Sequence, residues 1–309
     1  MSKPSSFSRL KNKVNLSAIR LNSANLKNVI SLDWLPKWRW YNFPNYVINQ
    51  LTVGDHATCH PDLHYADDPR QQLDLHVPHQ ARTDRALILF VHGGSWQHGN
   101  KQDYRFLAQS LAQSGFYVAC MNYRLAPAHQ YAEFVTDSVL ASNWLLDQKQ
   151  AKQYGYNVDK LILMGHSAGA FNIYAALYHP TWLTGINRPE AIYAAIGVAG
   201  PYSFEHRGDP LAQYALPQDI APEDLMPNYF VYPNQVRHLL ILAGNDVLVA
   251  DSNTDHMADS LKAIGNQVLV KRIARTRHVN VIATLAEKFA RFFPTKSLIV
   301  DFIDQEHLR

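Results

Sequence analysis

The feature that most constrains this chain is a change of rhythm near residue 72. From there on, short apolar runs alternate with amphipathic stretches of helical length. Residues 86–91 (ALILFV) are continuously apolar, the pattern of a central parallel strand covered on both faces. Residues 116–121 (FYVACM), 161–164 (LILM), 194–199, 238–243 (HLLILA) and 268–273 read the same way, and residues 73–77 alternate around Asp74 and His76 like a half-exposed strand. Between these runs, residues 104–113, 134–146, 168–178 and 254–264 have helical spacing, and residues 281–293 predict a final helix. Strands that alternate with helices of this length predict βαβ units. The expectation is an α/β fold with a mostly parallel central sheet and helices on both faces. At 309 residues, 47% of them hydrophobic, the chain can fill one such domain and is neither fibrous nor disordered in composition.

Residues before about 60 follow a different rule and are read as an N-terminal extension, with the α/β domain over 61–309. Lys3, Arg9, Lys11, Lys13, Arg20 and Lys27 lie in the first 32 residues, where there is no Asp or Glu. The rest of the chain therefore holds 23 of the 29 basic residues against all 26 acids, a net of −3, although the whole chain is +3. Residues 34–46 (WLPKWRWYNFPNY) add six aromatics, three of them tryptophan. A basic arm beside tryptophans reads either as a weak peripheral membrane contact through residues 1–46 or as a solvated arm whose rings pack on the body. Pro36 and Pro44 break any long helix there and favour packing. No apolar run reaches the 18–20 residues of a membrane span and no secretory h-region opens the chain. The two cysteines, Cys59 and Cys120, build no disulfide framework and no CxxC site. A cytoplasmic protein with no nucleic-acid partner is expected.

In a parallel sheet, ligands sit beyond the carboxyl ends of the strands, so chemistry is sought there. After LILM stands Gly165-His166-Ser167-Ala168-Gly169. A GxSxG between a buried strand and a helix is a sharp turn that lifts the serine hydroxyl clear of the sheet at a helix N-terminus. After ALILFV stands His92-Gly93-Gly94-Ser95-Trp96. Adjacent glycines there let backbone N–H groups approach a ligand closely. Gly93 and Gly94, with the N–H of Ala168, are the expected donors to an oxyanion. A serine needs a base to take its proton and an acid to orient that base. Asp246 follows HLLILAGN at a strand end, and His278 follows the last strand. Asp251 and Asp255 are rival acids, but they come later, toward or within the next helix.

With these residues in place, the chain from about Tyr65 onward resembles the α/β-hydrolase superfamily, in the esterase/lipase branch with an HGG loop. The matching stretches are Arg70-Gln71-Gln72-Leu73-Asp74, His92-Gly93-Gly94-Ser95-Trp96, Asn122-Tyr123-Arg124-Leu125-Ala126-Pro127, Gly165–Ala170, Gly244-Asn245-Asp246 and His278. The combination is similar to hormone-sensitive-lipase-like and feruloyl-esterase-like carboxylesterases and to arylformamidases that open N-formylkynurenine. The resemblance implies a catalytic triad of Ser167, Asp246 and His278 and an oxyanion hole at Gly93, Gly94 and Ala168. Ser95 departs from the common lipase form, which has a third glycine there.

Residues 201–236 are rich in proline and aromatics and are expected to form a cap or lid loop over the site. Trp96, His166 and Tyr202 are candidates for the substrate pocket. There is no HExxH, no zinc-ligand spacing and no GxGxxG at a strand end, so no metal or cofactor is expected. The expected function is a serine carboxylesterase acting on small-molecule esters. An arylformamidase using the same triad is the alternative, and a non-catalytic binding module on the same fold is a minor one. Oligomeric state is not legible.

Overall fold

Strands without a polar side chain have to be covered on both faces. In the computed structural model, which describes residues 48–49 and 54–305, they are. Eight strands form one sheet: β1 (Ala57–His64), β2 (Gln72–Pro78), β3 (Leu87–Val91), β4 (Tyr117–Met121), β5 (Leu161–His166), β6 (Ile192–Val198), β7 (Arg237–Ala243) and β8 (Val268–Ile273). Their order is β1-β2-β4-β3-β5-β6-β7-β8. β2 runs antiparallel to β1 and β4, and every pair from β4 through β8 is parallel.

Alternation along each strand sorts side chains into two cores. Leu87, Leu89, Val91, Leu161 and Leu163 face one side, where α2 (Glu133–Leu145), α4 (Ala168–Tyr178) and α5 (Ser252–Ala263) pack. Ile88, Phe90, Ile162 and Met164 face the other, against α1 (Arg105–Gln113), α6 (Asn280–Ala283) and α8 (Thr295–Asp304). The expected fold class, a mostly parallel sheet with helices on both faces, is the one observed.

Three local expectations need correction. The sheet begins at Ala57, before the expected domain start at 61. Seven of the eight residues of β1 are exposed or half-exposed, and Pro61 lies where its register with β2 shifts, so no apolar run announced this edge strand. The single helix expected over 281–293 is broken into α6 and α7 (Glu287–Ala290), because Ala286 takes an extended backbone (ψ 136°). Thr284 Oγ1 also bonds the Val281 carbonyl at 2.5 Å, which competes with helical pairing. The short helix α3 (Gln148–Tyr154) and α8 were not anticipated; α3 has a single buried residue, Ala151, and so no apolar face to read.

The basic arm and aromatic cluster of residues 1–46, with the membrane contact read into them, lie outside the described residues. Among the described residues no helix is long and apolar enough to cross a membrane.

Candidate active site

The strand ends converge as the fold requires. Ser167 follows β5 and precedes α4, with φ 53° and ψ −123°, a left-handed backbone that a non-glycine residue adopts only when its surroundings impose it. Gly165 makes the turn possible: a Cβ there would lie 2.4 Å from the Gly169 carbonyl oxygen. His278 Nε2 lies 2.8 Å from Ser167 Oγ, and His278 Nδ1 lies 2.8 Å from Asp246 Oδ2. Because a carboxylate only accepts, Nδ1 carries the proton and Nε2 is left to accept from the serine hydroxyl.

Asp246 is held from its own loop: Oδ1 accepts from the N–H groups of Leu248 (2.9 Å) and Val249 (3.0 Å). Burial pushes its pKa up, but the hydrogen bonds from His278 and these two N–H groups outweigh it and hold the carboxyl below its usual range. Asp251, the rival acid, is half exposed and pairs with Arg272 at 2.7 Å, away from the histidine. Thr276 sews the acid loop to the base loop. Its Oγ1 accepts from the Gly244 N–H at 3.0 Å, and its carbonyl accepts from the Asn245 N–H at 2.8 Å. No sequence pattern marks Thr276, since its role exists only once β7 and β8 lie side by side.

Gly93 and Gly94 face the serine from the end of β3. A Cβ on Gly93 would sit 3.1 Å from Ser167 Cβ, and one on Gly94 (φ 126°) would sit 2.3 Å from the His98 carbonyl oxygen. Among the described residues no backbone or side-chain acceptor takes the N–H groups of Gly93, Gly94 or Ala168. All three residues line a cavity of about 550 Å³ shared with Ser167 and His278. The loop is rooted by Trp96, whose indole N–H donates to Asn172 Oδ1 at 2.8 Å and whose ring stacks on Phe134. Trp96 borders the cavity but is only 3% exposed, so its main contacts are with α2 and α4. The Arg70 and Tyr123 motifs brace the same loop. Arg70 donates to the carbonyls of Tyr123 (2.8 Å) and Gly99 (3.1 Å), and Tyr123 Oη donates to the His92 carbonyl at 3.1 Å. His92 is fully buried and held neutral, its pKa lowered to about 3 by burial.

His166 also lies in the cavity wall, but Tyr202 does not. The expectation for Tyr202 is corrected. Its ring is fully buried edge-on to Tyr174, in the space left by the missing side chains of Gly197 and Gly200. Phe204, not Tyr202, reaches the cavity. Of the 201–236 segment, Pro201, Phe204, Glu205, Asp209, Leu211 and Ala212 line the cavity, whereas Leu225 and Met226 are buried in the core. The segment has no strand or α-helix, only 3-10 turns at Pro222–Asp224 and Pro227–Tyr229. Asn253, at the start of α5, anchors it by accepting from the Ser203 N–H at 2.9 Å. Leu248 and Val279, both exposed, flank the cavity mouth. Among the described residues no three His, Cys, Asp or Glu side chains are grouped to hold a metal ion.

A hydroxyl hydrogen-bonded to an oriented imidazole, facing unpaired N–H groups across an apolar-walled cavity, can support acyl transfer. The strand order and the turn at Ser167 are those of the α/β-hydrolase fold. Residues 73–178, which contain the HGG loop and the GxSxG turn, match the family model described as BD-FAE. A probable isoprenylcysteine alpha-carbonyl methylesterase of Oryza sativa subsp. japonica is 32% identical over 152 residues, 47% of this chain and 36% of that protein. The kynurenine formamidase of Danio rerio is 26% identical over 247 residues, 77% of this chain and 80% of that protein. The chain thus spans only about a third of the length of the first of these relatives. Among solved structures, esterase B from Lactobacillus rhamnosis superposes with a TM-score of 0.68 at 18% identity, covering 86% of this chain and 91% of that one. A truncated carbohydrate esterase from gut microbiota gives 0.67 at 14% identity, covering 82% and 100%. Both likenesses are likenesses of fold.

Proposed function

We propose that this chain is a serine hydrolase that cleaves small carboxylic esters through an acyl-enzyme. The observation that carries the reading is the unbroken line Asp246 Oδ2, His278 Nδ1, His278 Nε2, Ser167 Oγ, with both contacts at 2.8 Å. Ser167 Oγ attacks the ester carbonyl and gives its proton to His278 Nε2. The resulting oxyanion is received by the N–H groups of Gly93, Gly94 and Ala168. Collapse breaks the C–O bond, and the alcohol leaves with the proton from His278. Water then gives a proton to His278 and attacks the acyl-serine. The second intermediate releases the acid and returns the proton to Ser167 Oγ. Asp246 fixes the imidazole tautomer throughout, and the loop over 201–236 acts as the cap that walls the acyl pocket. No metal or cofactor enters this scheme.

The test is Ser167→Ala. It lowers kcat on p-nitrophenyl acetate by at least about 10³-fold with the fold retained, and it abolishes labelling by a fluorophosphonate probe that the wild type accepts. A wild-type chain that neither hydrolyses nor labels is instead a binding module.

A second reading is favoured by one observation: the similarity to the Danio rerio kynurenine formamidase extends over 80% of that protein. The same residues would cleave an aryl formamide, with His278 protonating the departing amine. Comparing kcat/KM for N-formylkynurenine and short acyl esters separates the two.

A further inference from the structure

His166, the last residue of β5, lies where the oxyanion loop, the turn of Ser167 and the loop of His278 meet. Its side chain is buried, and its Nε2 lies 3.0 Å from the carbonyl oxygen of His278. A carbonyl only accepts, so this nitrogen bears the proton. The other nitrogen, Nδ1, has no hydrogen-bond partner among the described residues and rests against the oxyanion loop: a Cβ on Gly93 would stand 3.0 Å from it. The His166 and His278 rings lie 5.3 Å apart, tilted by 37°.

The loop after β8 therefore has two tethers. Thr276 ties it to the loop of Asp246. His166 ties it to the turn of Ser167, one residue from the hydroxyl. The first tether joins the acid loop to the base loop, and the second joins the base loop to the serine turn. We propose that His166 is a positioning residue that holds the His278 backbone, through its Nε2–H, at the distance where the imidazole meets Ser167. The inference rests on the serine hydrolase reading and adds to it a residue that does not touch the reacting atoms. Burial lowers the His166 pKa to about 3, so the ring keeps its single proton across the neutral range.

A pocket residue and a positioning residue leave different kinetic marks. Loss of a pocket contact changes KM and the acyl-length profile, whereas a misplaced base lowers kcat for every ester alike. His166→Leu keeps the volume and loses the donor, and His166→Gln keeps an N–H at the reach of Nε2. His166→Leu lowers kcat about 10–100-fold on both p-nitrophenyl acetate and butyrate, with KM within about threefold, and His166→Gln recovers to within about fivefold of wild type. Wild-type kcat in His166→Leu, a KM-only effect, or a Gln variant as impaired as Leu overturns the proposal. Nitrogen NMR on the wild type with labelled histidine needs no variant to fold well: it shows a protonated Nε2 and a bare Nδ1 at His166, and the opposite tautomer overturns the proposal. Should the wild type neither hydrolyse esters nor label with fluorophosphonate, the hydrolase reading falls, while the tautomer still decides the tether.

Discussion

A Cβ on Gly169 would lie 2.1 Å from the carbonyl oxygen of Val91, so α4 rests backbone against backbone on the end of β3. This contact sets how close Ser167 and Ala168 come to Gly93 and Gly94. Alanine at 169 gains helix propensity of up to about 1 kcal/mol, but its methyl meets main chain that cannot rotate away. The clash wins. Gly169→Ala is expected to destabilise the fold by about 1–3 kcal/mol and to lower kcat at least about tenfold by moving the serine off the oxyanion donors. Urea melts and ester kinetics on the same preparation check both effects.

Asp246→Asn tests the orientation of the base. The amide occupies the same volume but does not demand the Nδ1–H tautomer, so Nε2 is no longer reliably free to accept from Ser167. A kcat lower by about 10²–10⁴-fold on p-nitrophenyl acetate is expected, with the melting transition nearly unchanged. An Asn variant at wild-type rate would remove Asp246 from the mechanism.

Acid should unfold this protein from the side of its buried histidines. His76, His92, His166 and His238 are all buried, and burial lowers their pKa from 6.5 to about 4 for the first and about 3 for the others. Between those values and 6.5 the unfolded chain binds protons that the folded chain refuses. The contribution is thus complete above about pH 6.5 and is lost as the pH falls toward 4 and then 3. Each histidine contributes a slope of up to about 1.4 kcal/mol per pH unit. Four together are enough to exhaust an ordinary domain stability of about 5–15 kcal/mol within a few pH units. Urea titrations at pH 7.5, 6.5, 5.5 and 4.5 should show stability falling only below the second of these. A flat profile down to pH 4.5 would contradict the burial of these rings.

Tyr202→Phe should leave kcat and KM for short esters within about twofold of wild type, because the ring packs on Tyr174 and Gly197 rather than in the cavity. A changed acyl-length profile in this variant would return Tyr202 to the pocket.

Much of this was legible before any coordinates. Apolar runs such as LILFV must be covered on both faces, so their alternation with helical stretches specifies a parallel sheet, and a parallel sheet places chemistry at its strand ends. Gly165 and Gly169 announced the turn at Ser167 because only glycine fits such close backbone approaches. What sequence leaves undetermined is whatever depends on neighbours distant along the chain. β1 has no apolar run, since seven of its eight residues are exposed or half-exposed and its place in the sheet comes from backbone pairing with β2. Tyr202 and Phe204 are equally aromatic in sequence, and only the turn after β6 decides which ring enters the core and which the cavity. Thr276 acts through two hydrogen bonds and His166 through one, all to other loops, and such bonds have no periodicity to read. The sequence determined the type of fold and the chemical identity of its strand ends, because burial and backbone sterics act locally. Tertiary structure alone decided the 2.8 Å line from Asp246 to Ser167, because a hydrogen bond between residues 111 positions apart depends on how whole strands and loops pack.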